Sequence, residues 1–73
     1  MRVDVRAEMV ANVLEVPLQP GDAVAVGDTL LLLESMKMEI PVIAERAGSV
    51  LEVRVRPGMV VQEGDVLCTL EAR

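Results

Sequence analysis

The sequence predicts an all-β protein: a flattened, antiparallel eight-stranded barrel made of two related halves of four strands each. Three observations carry this. First, the chain overlays itself when shifted by 37 residues. Residues 3–35 pair with 40–72 without a gap, and 15 of those 33 positions are identical. Second, valine and isoleucine together supply 16 of the 73 residues, and β-branched side chains favour a pleated, half-buried surface. Third, Pro-Gly and Gly-Asp pairs punctuate both halves at the same offsets, Pro20-Gly21 with Pro57-Gly58 and Gly27-Asp28 with Gly64-Asp65. No stretch of ten residues free of Gly and Pro has an amphipathic helical period.

The elements follow in order. Val3-Asp4-Val5-Arg6 alternates, giving a strand near 2–6. Val13-Leu14-Glu15-Val16 gives one near 12–17, ended by Pro17 and the Pro20-Gly21 turn, where Pro fixes φ and Gly permits φ > 0. A short strand near 23–26 runs to Gly27-Asp28, and Leu30 to Leu33 begins a buried strand at 30–34. The second half repeats the series at 39–43, 49–56, 60–62 and 66–71. The longest of these rests on the alternation Leu51-Glu52-Val53-Arg54-Val55-Arg56. Duplication predicts a quasi-twofold axis and chain termini that meet on one side. The joint near 35–38 then lies on the far side. The chain is expected to form a single domain over 1–73, and a monomeric one.

Composition excludes several functions. There is no His, Phe, Tyr or Trp. Without His the usual general base, the Ser-His and Cys-His nucleophile pairs and the commonest metal ligand are missing. Without aromatics there is no platform on which single-stranded bases stack, and a net charge of −5 lacks the positive surplus that phosphate binding needs. Cys68 is the only cysteine, so neither an intrachain disulfide nor a cysteine metal cluster forms. It aligns with Leu31 of the first half and reads as a packed small hydrophobe. No aliphatic run approaches the length of a membrane span, and residues 1–4 contain no signal-peptide core. The expectation is a cytoplasmic protein with no nucleic-acid, membrane or metal partner and no catalytic residue.

The joint between the halves carries the chemistry. It reads Glu34-Ser35-Met36-Lys37-Met38-Glu39, and Lys37 is the only lysine; the other six basic residues are arginines. An amine is readily acylated and a guanidinium is not. A lysine amine is ordinarily protonated at neutral pH, so it needs an enzyme to deprotonate it and to supply an activated acyl group. Strand alternation places Met36 and Met38 on one face with Lys37 opposite, and a tight turn exposes all three.

This hexapeptide closely resembles the attachment motif of biotinyl domains, (Ala or Ser)-Met-Lys-Met. The whole chain, a glycine-punctuated half, the Met-Lys-Met hairpin and a second homologous half, resembles the biotin carboxyl carrier domains of the biotinyl/lipoyl attachment family. It is similar in size to the small stand-alone members. The resemblance implies the barrel-sandwich hybrid fold and biotin joined covalently to Lys37 by a biotin protein ligase. It also implies recognition of the motif residues Glu34, Ser35, Met36 and Met38. Biotin carboxylase then carboxylates the biotin, and a carboxyltransferase passes the carboxyl group to an acyl-CoA or a 2-oxo acid. The carrier itself catalyses nothing. The gapless repeat leaves no room for the thumb loop of some bacterial carriers, and the sequence contains no Ala/Pro-rich linker, so either a free-standing carrier or a piece of a longer subunit is expected. The nearest alternative is a lipoyl carrier for a 2-oxo acid dehydrogenase system, whose motif is typically Asp-Lys-Ala; Met36 and Met38 argue against lipoate. An unmodified structural module is a further alternative, and it has no need of the lysine.

Overall fold

A computed structural model describes residues 1–73 and contains eight strands and no helix. They are β1 (Arg2–Arg6), β2 (Ala11–Glu15), β3 (Ala23–Val24), β4 (Thr29–Ser35), β5 (Met38–Ile43), β6 (Gly48–Val53), β7 (Val60–Val61) and β8 (Val66–Ala72). One antiparallel sheet has the order β1-β8-β6-β3 and the other β5-β4-β2-β7. Adding 37 to the residue numbers converts β4 to β8, β2 to β6, β1 to β5 and β3 to β7. Each sheet order therefore maps onto the other, as a quasi-twofold axis requires.

The duplication extends to single hydrogen bonds. The Gly27 amide donates to the Ala44 carbonyl at 2.8 Å, and its mate Gly64 donates to Ala7 at 2.8 Å. Both glycines sit at positive φ, 93° and 89°, where any other L residue is strained. The carboxylates that follow finish the turns: Asp28 accepts from the Ala25 amide and Asp65 from the Gln62 amide, each at 2.8 Å.

The chain changes sheet at every link except one. Only β4 and β5 are consecutive strands that pair with each other. The inner faces meet in one core. Val13, Leu30, Leu31, Leu33, Val50, Val61, Leu67 and Leu70 are all at most 3% exposed, and Cys68 is fully buried among them. Burying an aliphatic side chain of this size contributes about 1.5–3 kcal/mol.

Four strands end earlier than the sequence predicted: β2 stops at Glu15 rather than 17 and β7 at Val61 rather than 62, and two others differ likewise. β6 stops at Val53 rather than 56, although the Arg54 amide still donates to Leu67 and Val55 remains buried. Pro57-Gly58 turns the chain before the ladder with β8 continues further. β3 stops at Val24, not 26, for the analogous reason at Gly27. The termini meet as expected: the Ala72 amide donates to the Met1 carbonyl at 2.7 Å, and Met1 and Glu71 form an ion pair. β1 runs away from that end, and the joint lies at the other. The edge strands are β1 and β3 in one sheet and β5 and β7 in the other. β1 and β5 bound a groove of about 640 Å³ with Val5, Leu33, Ile40 and Leu70 among its lining residues.

Candidate functional site

The β4–β5 hairpin is closed by a two-residue turn, Met36-Lys37, between the paired residues Ser35 and Met38. Both turn residues lie at positive φ, 53° and 64°, and they are the only non-glycine residues that do. Positive φ at both central positions is the mark of a type I′ turn, whose twist matches that of the flanking strands. Alternation therefore ends at Ser35. The expectation that Met36 and Met38 share a strand face with Lys37 opposite is corrected: Met36 and Lys37 are both turn residues, and only Met38 belongs to a strand.

The root of the turn is fixed. Leu33 pairs with Ile40; Leu33 is 3% exposed, and Ile40 packs against the same core. Beyond this pair the hairpin rises out of the packed region. Glu34 and Ser35 are half-buried, while Lys37 and Glu39 are exposed. Met36 is 87% and Met38 59% exposed, so neither is a core residue. None of the three ion pairs of the molecule includes Lys37. Its side chain is exposed at the tip of the hairpin. No group of three or more His, Cys, Asp or Glu side chains is arranged to hold a metal ion.

The acidic residues of the motif are brought together. Glu34 stands directly opposite Glu39, and Asn12 of β2 flanks Glu34 on its other side. Sequence reasoning did not place Asn12, or the Met9-Val10 segment just before it, near Lys37. The register of β2 against β4 does so. The signal was available in the repeat, because Met9-Val10 corresponds to the unlike pair Arg46-Ala47.

Cys68 is the other nucleophile. It is fully buried, and burial pushes its thiol up to about 11. A thiol in that setting stays neutral and unreactive. No helix is long and apolar enough to cross a membrane.

Comparison with known proteins gives three findings. A family model described as "Biotin-requiring enzyme" matches residues 3–70. A stretch of 42 residues is 69% identical to the "Biotinylated protein TB7.3 homolog" of Mycolicibacterium smegmatis. That match covers 58% of this chain and 59% of the relative, so the chain spans about three-fifths of the curated relative it matches. Among solved structures, part of a single-chain, multi-domain long-chain acyl-CoA carboxylase superposes with a TM-score of 0.93 at 33% identity. It covers 99% of this chain and 7% of the carboxylase. The lipoyl domain of the 2-oxoglutarate dehydrogenase complex from Azotobacter vinelandii superposes at 0.82 with 25% identity, over 94% of this chain and 95% of that one.

Proposed function

The chain belongs to the biotin/lipoyl attachment family, and from that premise we propose that it carries biotin covalently on Lys37. The observation that carries the proposal is a coincidence of two unique features: the only lysine of the sequence sits in the only hairpin of the fold. In that position the amine is exposed and unpaired.

The chemistry follows from the site. A biotin protein ligase removes a proton from the Nζ ammonium, and the free amine attacks the carboxyl carbon of activated biotin. A C–N amide bond forms and the activating group leaves with the bonding electrons. Met36 and Met38, with Glu34 and Ser35, are the residues this enzyme recognises. The finished arm has about eleven bonds from Cα to the biotin ring and reaches on the order of 14 Å, at roughly 1.25 Å per bond. The Leu33–Ile40 pair fixes the root of the arm, so the ring samples a small shell and its local concentration at a docked partner reaches the millimolar range. Biotin carboxylase and a carboxyltransferase then act on the ring in turn, the second delivering the carboxyl group to an acyl-CoA or 2-oxo acid. The chain contributes no acid, base or nucleophile to either step. The buried free thiol suits a reducing, cytoplasmic setting.

The fold alone accommodates lipoate equally well, since the Azotobacter lipoyl domain superposes over nearly its full length. The turn sequence separates the two: Met36 and Met38 flank the lysine where the lipoyl motif has Asp and Ala. The test is intact mass after incubation with a biotin protein ligase, ATP and biotin. The parent chain should gain one biotinyl increment and Lys37→Arg none. Arginine at an exposed turn position should change stability by no more than about 0.5 kcal/mol. An increment on the Arg variant would refute attachment at Lys37. A lipoyl increment from native cells, with no biotinyl one, would favour the lipoyl reading.

A further inference from the structure

We propose that Met9 and Val10, in the loop between β1 and β2, join Met36 and Met38 in one apolar patch that docks the enzyme acylating Lys37. Glu34 and Glu39 face basic side chains of that enzyme. The inference rests on Lys37 being the acylated residue and extends recognition beyond the hairpin that bears it.

All four apolar residues are exposed: Met9 39%, Val10 55%, Met36 87% and Met38 59%. The strand register and the quasi-twofold axis set them at one end of the molecule. β2 pairs with β4 through Asn12–Glu34 and Val13–Leu33, and continuing that register by one pleat carries Val10 to the level of Met36. Met9 lines the groove whose other wall includes Ile40 and Pro41 of β5. The quasi-twofold axis sets it at the same end as Met38. The mates of Met9 and Met38 are Arg46 and Met1, and these two side chains touch at 3.8 Å, Arg46 Nη1 to Met1 Sδ.

The duplication supplies an internal control. The two ends match in sheet order and strand pairing. At the opposite end Arg46-Ala47 replaces Met9-Val10, Arg73 replaces Met36 and Arg2 replaces Glu39. The fold thus tolerates cationic and small residues at these positions, and exposed methionine and valine answer some other demand. The carboxylates support the same conclusion. Glu34 and Glu39 are direct cross-strand neighbours, an arrangement that destabilises a sheet, and neither has an ion-pair partner within the chain.

Reach identifies the occupant. A carboxylating enzyme meets the ring at the end of an arm on the order of 14 Å long and need not touch the patch. An acylating enzyme must bring its reactive centre to the lysine amine itself, about 6 Å from Cα. Neighbouring strands are about 4.8 Å apart, so an enzyme in contact with Met36 also covers Val10.

The test replaces Met9-Val10 by the residues of the mate position, Met9→Arg with Val10→Ala, in the full chain. Because Arg46-Ala47 already occupies the equivalent site, the variant should keep the parent melting curve. Purified biotin protein ligase should show a KM for the variant raised about tenfold, the equivalent of about 1.4 kcal/mol, with kcat little changed. The KM of the parent should rise with added salt, and Glu34→Gln with Glu39→Gln should flatten that dependence. A folded Met9-Val10 variant with a KM within about twofold of the parent overturns the patch alone. Absence of acylation of the parent itself overturns both this inference and the biotin reading. Salt-independent KM in the parent overturns the assignment of basic partner groups.

Discussion

Met36 is held in a conformation its side chain does not favour. An L residue with a Cβ in the left-handed region costs roughly 1–2 kcal/mol, and the turn contains two of them, at φ 53° and 64°. The usual solution for this turn is Asn-Gly, which accepts positive φ cheaply. Met36 gains nothing from packing, being 87% exposed. Strain retained at a side chain the core does not use is the pattern of a site selected for recognition. Met36→Asn should therefore stabilise the fold by about 0.5–1 kcal/mol, part of the left-handed cost, measured by urea denaturation. It should also lower the efficiency of acylation. A destabilised or unchanged variant would show that the turn is not strained at Met36. At this scale the sequence was legible in identity but not in geometry. Lys37 stood out because it is unique and lies between two repeats. The turn type was hidden because Met-Lys lacks the Asn-Gly signature, and face alternation was then carried through Met36 and Lys37, both of which belong to the turn.

The strands themselves were readable because each was recorded twice. Strand number and order agree throughout, whereas the strands that precede a Pro-Gly or Gly-Asp turn end earlier than alternation suggests, as at Arg54 to Arg56. Alternation reports extension, whereas a ladder also needs a neighbour. One position shows a constraint that alternation cannot express. A Cβ built on Gly48 would lie 2.1 Å from the backbone carbonyl oxygen of Glu71 and 2.9 Å from Ala72 Cα. β6 and β8 approach so closely there that no side chain fits, and the obstacle is backbone rather than a flexible group. Gly48→Ala should cost about 2–3 kcal/mol, at the upper end for overpacking, and lower the denaturation midpoint accordingly. The mate position, Ala11, already has a methyl group, so Ala11→Gly should cost far less. Equal losses at the two positions would mean that the halves pack alike at this level.

At the scale of the molecule, the groove, the two sheets and the core all follow from one rule of connection: the chain crosses between sheets at every link but β4–β5. That rule was implicit in the repeat, but a repeat alone does not say which strands pair, and the sheet order had to come from the structure. It also has a kinetic consequence. Five of the six strand pairings join segments separated by other strands, and only one forms by closing two residues. Long loops must close before non-local pairings stabilise the chain, so folding should be slow and should begin at the one local pairing. Leu33 in β4 and Leu70 in β8 are quasi-twofold mates with nearly equal burial, 3% and 2%. Truncating each to alanine should cost similar stability but divide it differently. Leu33→Ala should slow folding, with a φ-value of about 0.5–0.8, whereas Leu70→Ala should mainly speed unfolding, with a value of about 0–0.3. Similar values at both sites would place the nucleus elsewhere. The segment that presents Lys37 is then also the segment from which the molecule condenses, and an amine at its tip is accessible before the remaining strands have docked.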